Sequence, residues 1–320
     1  MDIERPTFQD VLLAKRLIAP YLRATPLFRY PALDQLMGTA LYVKHENHQP
    51  IGAFKIRGGI NFMAQLSAEE RARGAITAST GNHGQSVAYA ARLFGVQAIV
   101  GVPNGANPLK VEAMQSLGAE VLFHGNDFDE ARLYVEDLAE ERQMRYVHPA
   151  NEKLLIAGVA TETLEILEEQ PEIDVIFVPL GGGSGASGAC IVAKAVNPRV
   201  RVIAVQAESA PAAFQSWQRG ALVEAPTATF AEGLATRTGY TLPQSILRDL
   251  LDDFVLVAED EIRRAMRLLI EKTHNLAEGA GAASLAAALK MKDELHGKKV
   301  AIVLSGGNTS IQHLRDALSM

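Results

Sequence analysis

The chain has 320 residues, 48% of them apolar and 21% charged, with a net charge of −6 at pH 7. That size and composition fit a globular enzyme with room for two compact lobes; with Lys and Arg scattered among acids, the acidic balance excludes a nucleic-acid partner, which needs a basic face. No apolar run approaches the ~20 residues of a membrane span, the opening residues Met1 to Pro6 lack the basic and apolar regions of a secretory signal, and the lone cysteine fits a reducing cytoplasm.

Taken in order, β-branched runs predict strands at 41–44, 75–78, 98–102, 120–123, 175–179, 201–206 and 300–304. Amphipathic stretches between them predict helices at 85–94, 108–117 and 127–141. Strand–helix alternation of this kind implies an α/β fold whose parallel sheets are covered on both faces. Residues 74–147 form a self-contained set of βα units, the small domain. Residues 1–73 and 148–320 make the large one, so the expected architecture is two parallel-sheet lobes with the site in the cleft between them.

After the first strand comes Gln49-Pro50-Ile51-Gly52-Ala53-Phe54-Lys55. Pro50 and Gly52 predict a turn, and Lys55 falls in the first turn of a helix reaching about Leu66. Apolar neighbours and a helix N-terminus both lower a lysine pKa from ~10.4, which makes a free amine available; a surface lysine opening an amphipathic helix would look the same. Ser79-Thr80-Gly81-Asn82-His83-Gly84 follows the second strand and opens the next helix, where hydroxyls, an amide and N–H groups suit a carboxylate.

The strand at 175–179 runs into Gly181-Gly182-Gly183-Ser184-Gly185 and an apolar helix, a loop built to hold a phosphate on backbone N–H groups. Two phosphate classes remain open here. Gly183, Gly185 and Gly188 also satisfy G-x-G-x-x-G, with Glu208 near the place of a ribose-binding acid, which describes a nicotinamide enzyme equally well. Cys190 lies in an apolar stretch and is read as core. Ser305-Gly306-Gly307-Asn308 closes the last strand and offers a hydroxyl for one hydrogen bond.

These ordered segments, with Glu232-Gly233-Leu234, resemble the fold-type II pyridoxal-phosphate enzymes, in their threonine/serine dehydratase and serine racemase branch, over nearly the whole chain. The resemblance implies a tryptophan synthase β-like fold with pyridoxal 5′-phosphate between the lobes, and it demotes the dinucleotide reading. It also implies that Lys55 binds the cofactor covalently, that Phe54 packs against its ring and that Asn82 bonds the ring's 3′-oxygen. Gly181, Gly182, Gly183, Ser184 and Gly185 would cradle the phosphate, and Ser305 would face the pyridine nitrogen. Ser79, Thr80, Gly81 and His83 would line the substrate carboxylate, with Thr80 also at the position of the racemase's opposite-face base.

A serine rather than an aspartate at the ring nitrogen leaves it largely neutral, a weaker electron sink that suits prompt β-elimination. The implied activity is therefore dehydration and deamination of a small β-hydroxy amino acid such as L-threonine or L-serine, in a cytoplasmic homodimer. Departures from the pattern matter. Ile51 and Ala53 replace the threonine and serine of the commoner Q-P-T-G-S-F-K, and Ser184 replaces a fourth glycine. Thr80 keeps a hydroxyl but adds a branched Cβ, which favours elimination over racemisation. Together they keep open a hydroxylated diaminobutyrate derivative of hydroxyectoine breakdown as substrate. No strong metal site is expected, since the residues after Glu208 supply no second acid and the eight histidines, His45 and His48 among them, show no ligand spacing backed by acids or cysteines, most of them reading as surface or capping groups. The regulatory domain of biosynthetic threonine dehydratases is not expected after Ser305.

Overall fold

A computed structural model describes residues 4–320. Among the described residues ten strands form two sheets. They are β1 (Leu27–Arg29), β2 (Ala40–His45), β3 (Ala75–Ala78), β4 (Ala98–Val102), β5 (Glu120–Phe123), β6 (Arg145–Tyr146), β7 (Val175–Pro179), β8 (Arg201–Ala207), β9 (Asp253–Val257) and β10 (Lys299–Leu304). One sheet has the order β1-β2-β10-β7-β8-β9 and the other β5-β4-β3-β6. All pairings are parallel except the edge pair β1–β2. The expected α/β architecture is present, and the short antiparallel edge is a departure from it.

The central strands are buried on both faces, and their side chains divide by alternation. Val175 and Phe177 of β7 join Val300, Ile302 and Leu304 of β10 in the core beneath helix Gly279–Lys290. Ile176 and Val178 join Ala301 and Val303 in the opposite core, against helix Ser184–Val196. Cys190 lies fully buried there, its thiol pushed up by burial. Helix Lys55–Ala64 belongs elsewhere: Ile56, Ile60 and Met63 share a core with Val87, Ala88 and Val100 of the second sheet's layer.

Because every strand but β1 runs parallel to its neighbours, the carboxyl ends within each sheet gather along one edge, the place where open α/β sheets bind ligands. Residues 46–55 follow β2, Ser79–Asn82 follow β3, Gly181–Gly185 follow β7 and Ser305–Asn308 follow β10. Two histidines, His45 and His83, are buried rather than surface groups. His45 is fully buried and its pKa is pushed down to about 4, chiefly by burial and then by His48, because its strand lies inside the sheet.

Candidate active site

Three of the four carboxyl-end segments are tied together by main-chain and side-chain hydrogen bonds. The Phe54 N–H donates to the Ser305 carbonyl at 2.9 Å, and the Gly307 N–H to the Gly52 carbonyl at 2.9 Å. Asn308 Nδ2 donates to the Ile51 carbonyl and to Asn82 Oδ1, both at 2.8 Å. The predicted Pro50–Gly52 turn closes through the Gly52 N–H on Gln49 O at 2.7 Å. It delivers Lys55 to the first position of its helix.

Lys55 Nζ donates to Ser184 Oγ at 2.8 Å and lies 5.2 Å from the centre of the Phe54 ring. Burial pushes its pKa down to about 8, opposed by the charge of Glu162. A free amine is therefore accessible near neutral pH. Ser184 opens helix Ser184–Val196, whose first-turn N–H groups lack intrahelical partners and point positive potential at the same spot. Gly183 before it has φ +95°, a left-handed conformation that a side chain would strain.

Gly181 is needed for a different reason. A Cβ there would stand 2.0 Å from the Gly233 carbonyl, so the loop lies directly on the 232–234 segment. Gly181→Ala is accordingly expected to destabilise the protein by about 1–3 kcal/mol through overpacking, read as an earlier thermal melt. Phe54 packs on the same element, its Cε2 at 3.2 Å from where a Gly185 Cβ would be.

Asn82 opens helix Asn82–Phe94, and its amide is held from both sides. Its Nδ2 donates to Glu278 Oε1 at 2.7 Å while its Oδ1 accepts from Asn308. Burial pushes the Glu278 carboxyl up to about 7, against Lys110 and the Asn82 bond. Ser305 is 4% exposed, and no protein partner takes its hydroxyl among the described residues.

The other expected substrate residues divide. Ser79 Oγ accepts from the Gly81 and Gly84 N–H groups at 3.2 and 3.0 Å, so it caps the turn. Thr80 is half-buried beside it and makes no side-chain hydrogen bond among the described residues. His83 is buried with Nε2 at 3.0 Å from Thr77 Oγ1 and 3.1 Å from the Val147 carbonyl, and burial, then the Lys55 charge, push its pKa down to about 3. It is a neutral imidazole tying the helix start to the chain after β6.

Glu278 and Lys110 escaped the sequence reading, and Asn308 stood in the 305–308 motif without a role. Glu278 had one available signal, the small-residue run Gly279-Ala280-Gly281-Ala282-Ala283 behind it. A Cβ on Gly281 would meet the Gly306 carbonyl at 2.2 Å, and this close approach brings Glu278 to Asn82. Glu208, the ribose-binding candidate, instead pairs with Lys290 at 3.1 Å. Gly188 packs on Ala160. Among the described residues no cluster of three His, Cys, Asp or Glu could hold a metal ion.

A readily deprotonated amine, a helix N-terminus with a glycine cradle, a fixed amide and a buried hydroxyl fit a phosphorylated aldehyde. Known proteins agree. Residues 18–306 match the model of the pyridoxal-phosphate dependent enzyme family. The L-threonine ammonia-lyase of Thermotoga maritima is 41% identical over 95% of this chain and 76% of its own. The L-threo-3-hydroxyaspartate ammonia-lyase of Saccharomyces cerevisiae is 35% identical over 98% and 97%. Maize serine racemase superposes with a TM-score of 0.93 at 34% identity, over 99% of this chain and 98% of its own. With Lys55 beside the 181–185 cradle and the match spanning most of its length, the chain belongs to the pyridoxal-phosphate dependent enzymes.

Proposed function

We propose that the protein deaminates a small β-hydroxy amino acid, L-threonine or L-serine, to a 2-oxo acid, water lost in the elimination being taken up again when the imine releases ammonia. The observation that carries this reading is the Lys55 amine, 2.8 Å from Ser184 at the mouth of the phosphate cradle and with its pKa brought down by burial to about 8. Bound pyridoxal phosphate supplies the electron sink for the substrate α-carbon. The protein supplies the rest. Lys55 Nζ takes the α-proton as general base, the bond from Cβ to the hydroxyl oxygen breaks with loss of water, and hydrolysis of the remaining imine frees ammonia.

Gly181, Gly182, Gly183, Ser184 and Gly185 hold the phosphate, Asn82 orients the ring with Glu278 and Asn308 behind it, and Phe54 packs against the ring. Ser305 meets the ring nitrogen. Thr80 and the free N–H groups at the helix start receive the substrate carboxylate with Ser79, Gly81 and His83 shaping that turn. Residues 74–147 are assigned to the small lobe and the remainder to the large one, a division supported by the strands of the second sheet, which all lie between Ala75 and Tyr146. A homodimer is expected and is checked by sedimentation. No described helix is long and apolar enough to cross a membrane.

The test is release of 2-oxo acid from a panel of β-hydroxy amino acids, 3-hydroxyaspartate included because of the yeast relative. Dominant formation of D-amino acid would favour racemisation, the reading that the maize neighbour supports. Ser305→Asp, by holding the ring nitrogen protonated, should change the cofactor spectrum and slow elimination about tenfold, ~1.4 kcal/mol of barrier; an unchanged rate and spectrum would remove Ser305 from its assigned role.

A further inference from the structure

One wall of the cleft carries polar groups to which the deamination gives no part. The chain after β6 joins the two halves of the site. Its Val147 carbonyl accepts from Thr77 Oγ1 at 2.8 Å and stands 3.1 Å from His83 Nε2, beside the carboxylate turn. Three residues on, Ala150 closes on the phosphate cradle. A Cβ on Gly182 would meet the Ala150 methyl at 3.2 Å and the Tyr240 ring at 3.9 Å. The Leu242 N–H donates to Asn151 Oδ1 at 3.1 Å, which fixes the start of helix Thr241–Leu250 to the same loop.

Three ring side chains line this wall. His148 packs edge to face with Tyr146, 6.1 Å between ring centres, and with Tyr240, at 5.5 Å. His148 Nδ1 accepts from the Ala150 and Asn151 N–H groups at 3.0 and 2.9 Å, so the proton of the neutral ring sits on Nε2. Among the described residues no acceptor takes that Nε2–H or the Tyr240 hydroxyl, and the Tyr146 hydroxyl is buried and equally without a partner. Burial pushes the imidazole pKa down and both phenols up, which keeps all three neutral. The charges nearby cancel. Arg132 Nη1 donates to both Glu136 oxygens at 2.9 Å, and Arg132 Nε lies 3.6 Å from Asp129, which pairs with Arg237 at 3.0 Å. The wall therefore presents neutral donors and no free cation.

We propose that Tyr146, His148 and Tyr240 form the subsite for the substrate side chain, and that it takes a neutral acceptor, the amide oxygen of a β-hydroxy amino acid longer than threonine. The assignment rests on the proposed deamination, with the substrate amine at Lys55 and its carboxylate at the 79–83 turn. The wall from Val147 to Ala150 and Tyr240 is then the side of the cleft left for the side chain. A methyl group there would leave the donors without acceptors. A carboxylate would give up its water beside Glu136 and find no unmatched cation to receive it. An amide oxygen accepts two hydrogen bonds and carries no charge.

Turnover of L-threo-3-hydroxyasparagine, L-threo-3-hydroxyaspartate and L-threonine by the holoenzyme compares amide, acid and methyl at this wall. kcat/KM for the amide should exceed both others by about tenfold, the scale of two neutral hydrogen bonds. An acid or threonine used as well as the amide overturns the proposal. Tyr146→Phe and Tyr240→Phe should each cut the amide-to-threonine ratio about fivefold, chiefly through KM; a ratio unmoved in both variants overturns it. Binding is read apart from elimination with L-asparagine and L-aspartate, which lack the β-hydroxyl, titrated against the visible absorption of the holoenzyme. Asparagine should bind about tenfold tighter than aspartate, and an equal or reversed order sinks the subsite. Absence of 2-oxo acid from every β-hydroxy amino acid would instead remove the proposed deamination, while the order of binding would still decide the subsite.

Discussion

Lys55→Ala should lower 2-oxo acid release by at least about a thousandfold, the scale of a lost general base, in a protein that still folds. The lysine occupies the first position of its helix, where alanine is a good helix former. Its apolar neighbour Ile56 is anchored in the core independently of the amine. Truncation removes the 2.8 Å bond to Ser184 Oγ, a loss of roughly 1 kcal/mol for a hydroxyl that can find water. The melting curve should therefore remain close to wild type. The cofactor should no longer survive dialysis, because the covalent link goes with the amine, and the visible band should be lost with it. Retention of a tenth of the wild-type rate would require another base and would remove Lys55 from the centre of the mechanism.

Features that are local in the chain were legible before the fold. The apolar run of β7, the glycines after it and the helix behind them form one continuous stretch, so strand, cradle and helix could be read together. The Asn82 and Lys55 segments likewise announce themselves by turn residues just ahead of a helix. What could not be read were partnerships across long separations. Asn82 meets Glu278 196 residues away, and Arg57 meets Glu165 108 residues away; a polar residue carries no local mark of the group that will satisfy it. For the same reason Ser79 and His83 looked free to meet substrate, whereas neighbouring N–H groups, Thr77 and the Val147 carbonyl occupy them.

Short strands were also illegible, for a different physical reason. β1 has three residues and β6 two, too few for a periodicity to emerge. β9 lies at a sheet edge with only Phe254 and Val257 buried, which breaks the continuous apolar pattern of a central parallel strand. Helix Lys55–Ala64 shows the limit of dividing a chain by strand order. It precedes the second sheet in sequence, yet packs its apolar face against that sheet's layer. Its reactive lysine therefore reaches the cradle from the side of the second sheet's layer.

Arg57→Leu should be the most damaging single change to stability, by about 3–5 kcal/mol, because it leaves a buried carboxylate without its partner. Glu46 is fully buried and loses both guanidinium bonds, while Glu165 keeps Lys44. The pH dependence should change sign. Burial tends to raise Glu46, but in the wild type Arg57, with Lys44 and the Thr25 hydroxyl, brings its carboxyl below the ordinary value of 4.5. Its contribution to stability is then present above that value and lost as acid protonates the folded state. Without Arg57, burial is left opposed mainly by Lys44 and Thr25, and the carboxyl rises. The variant should be relatively most stable in acid and weaken as pH increases toward neutrality. Melting temperatures across that range, for wild type, Arg57→Leu and Arg57→Leu with Glu46→Gln, would separate the causes. Recovery in the double variant assigns the loss to the stranded carboxylate, whereas an equal loss in both assigns it to packing of the guanidinium stem between the helices.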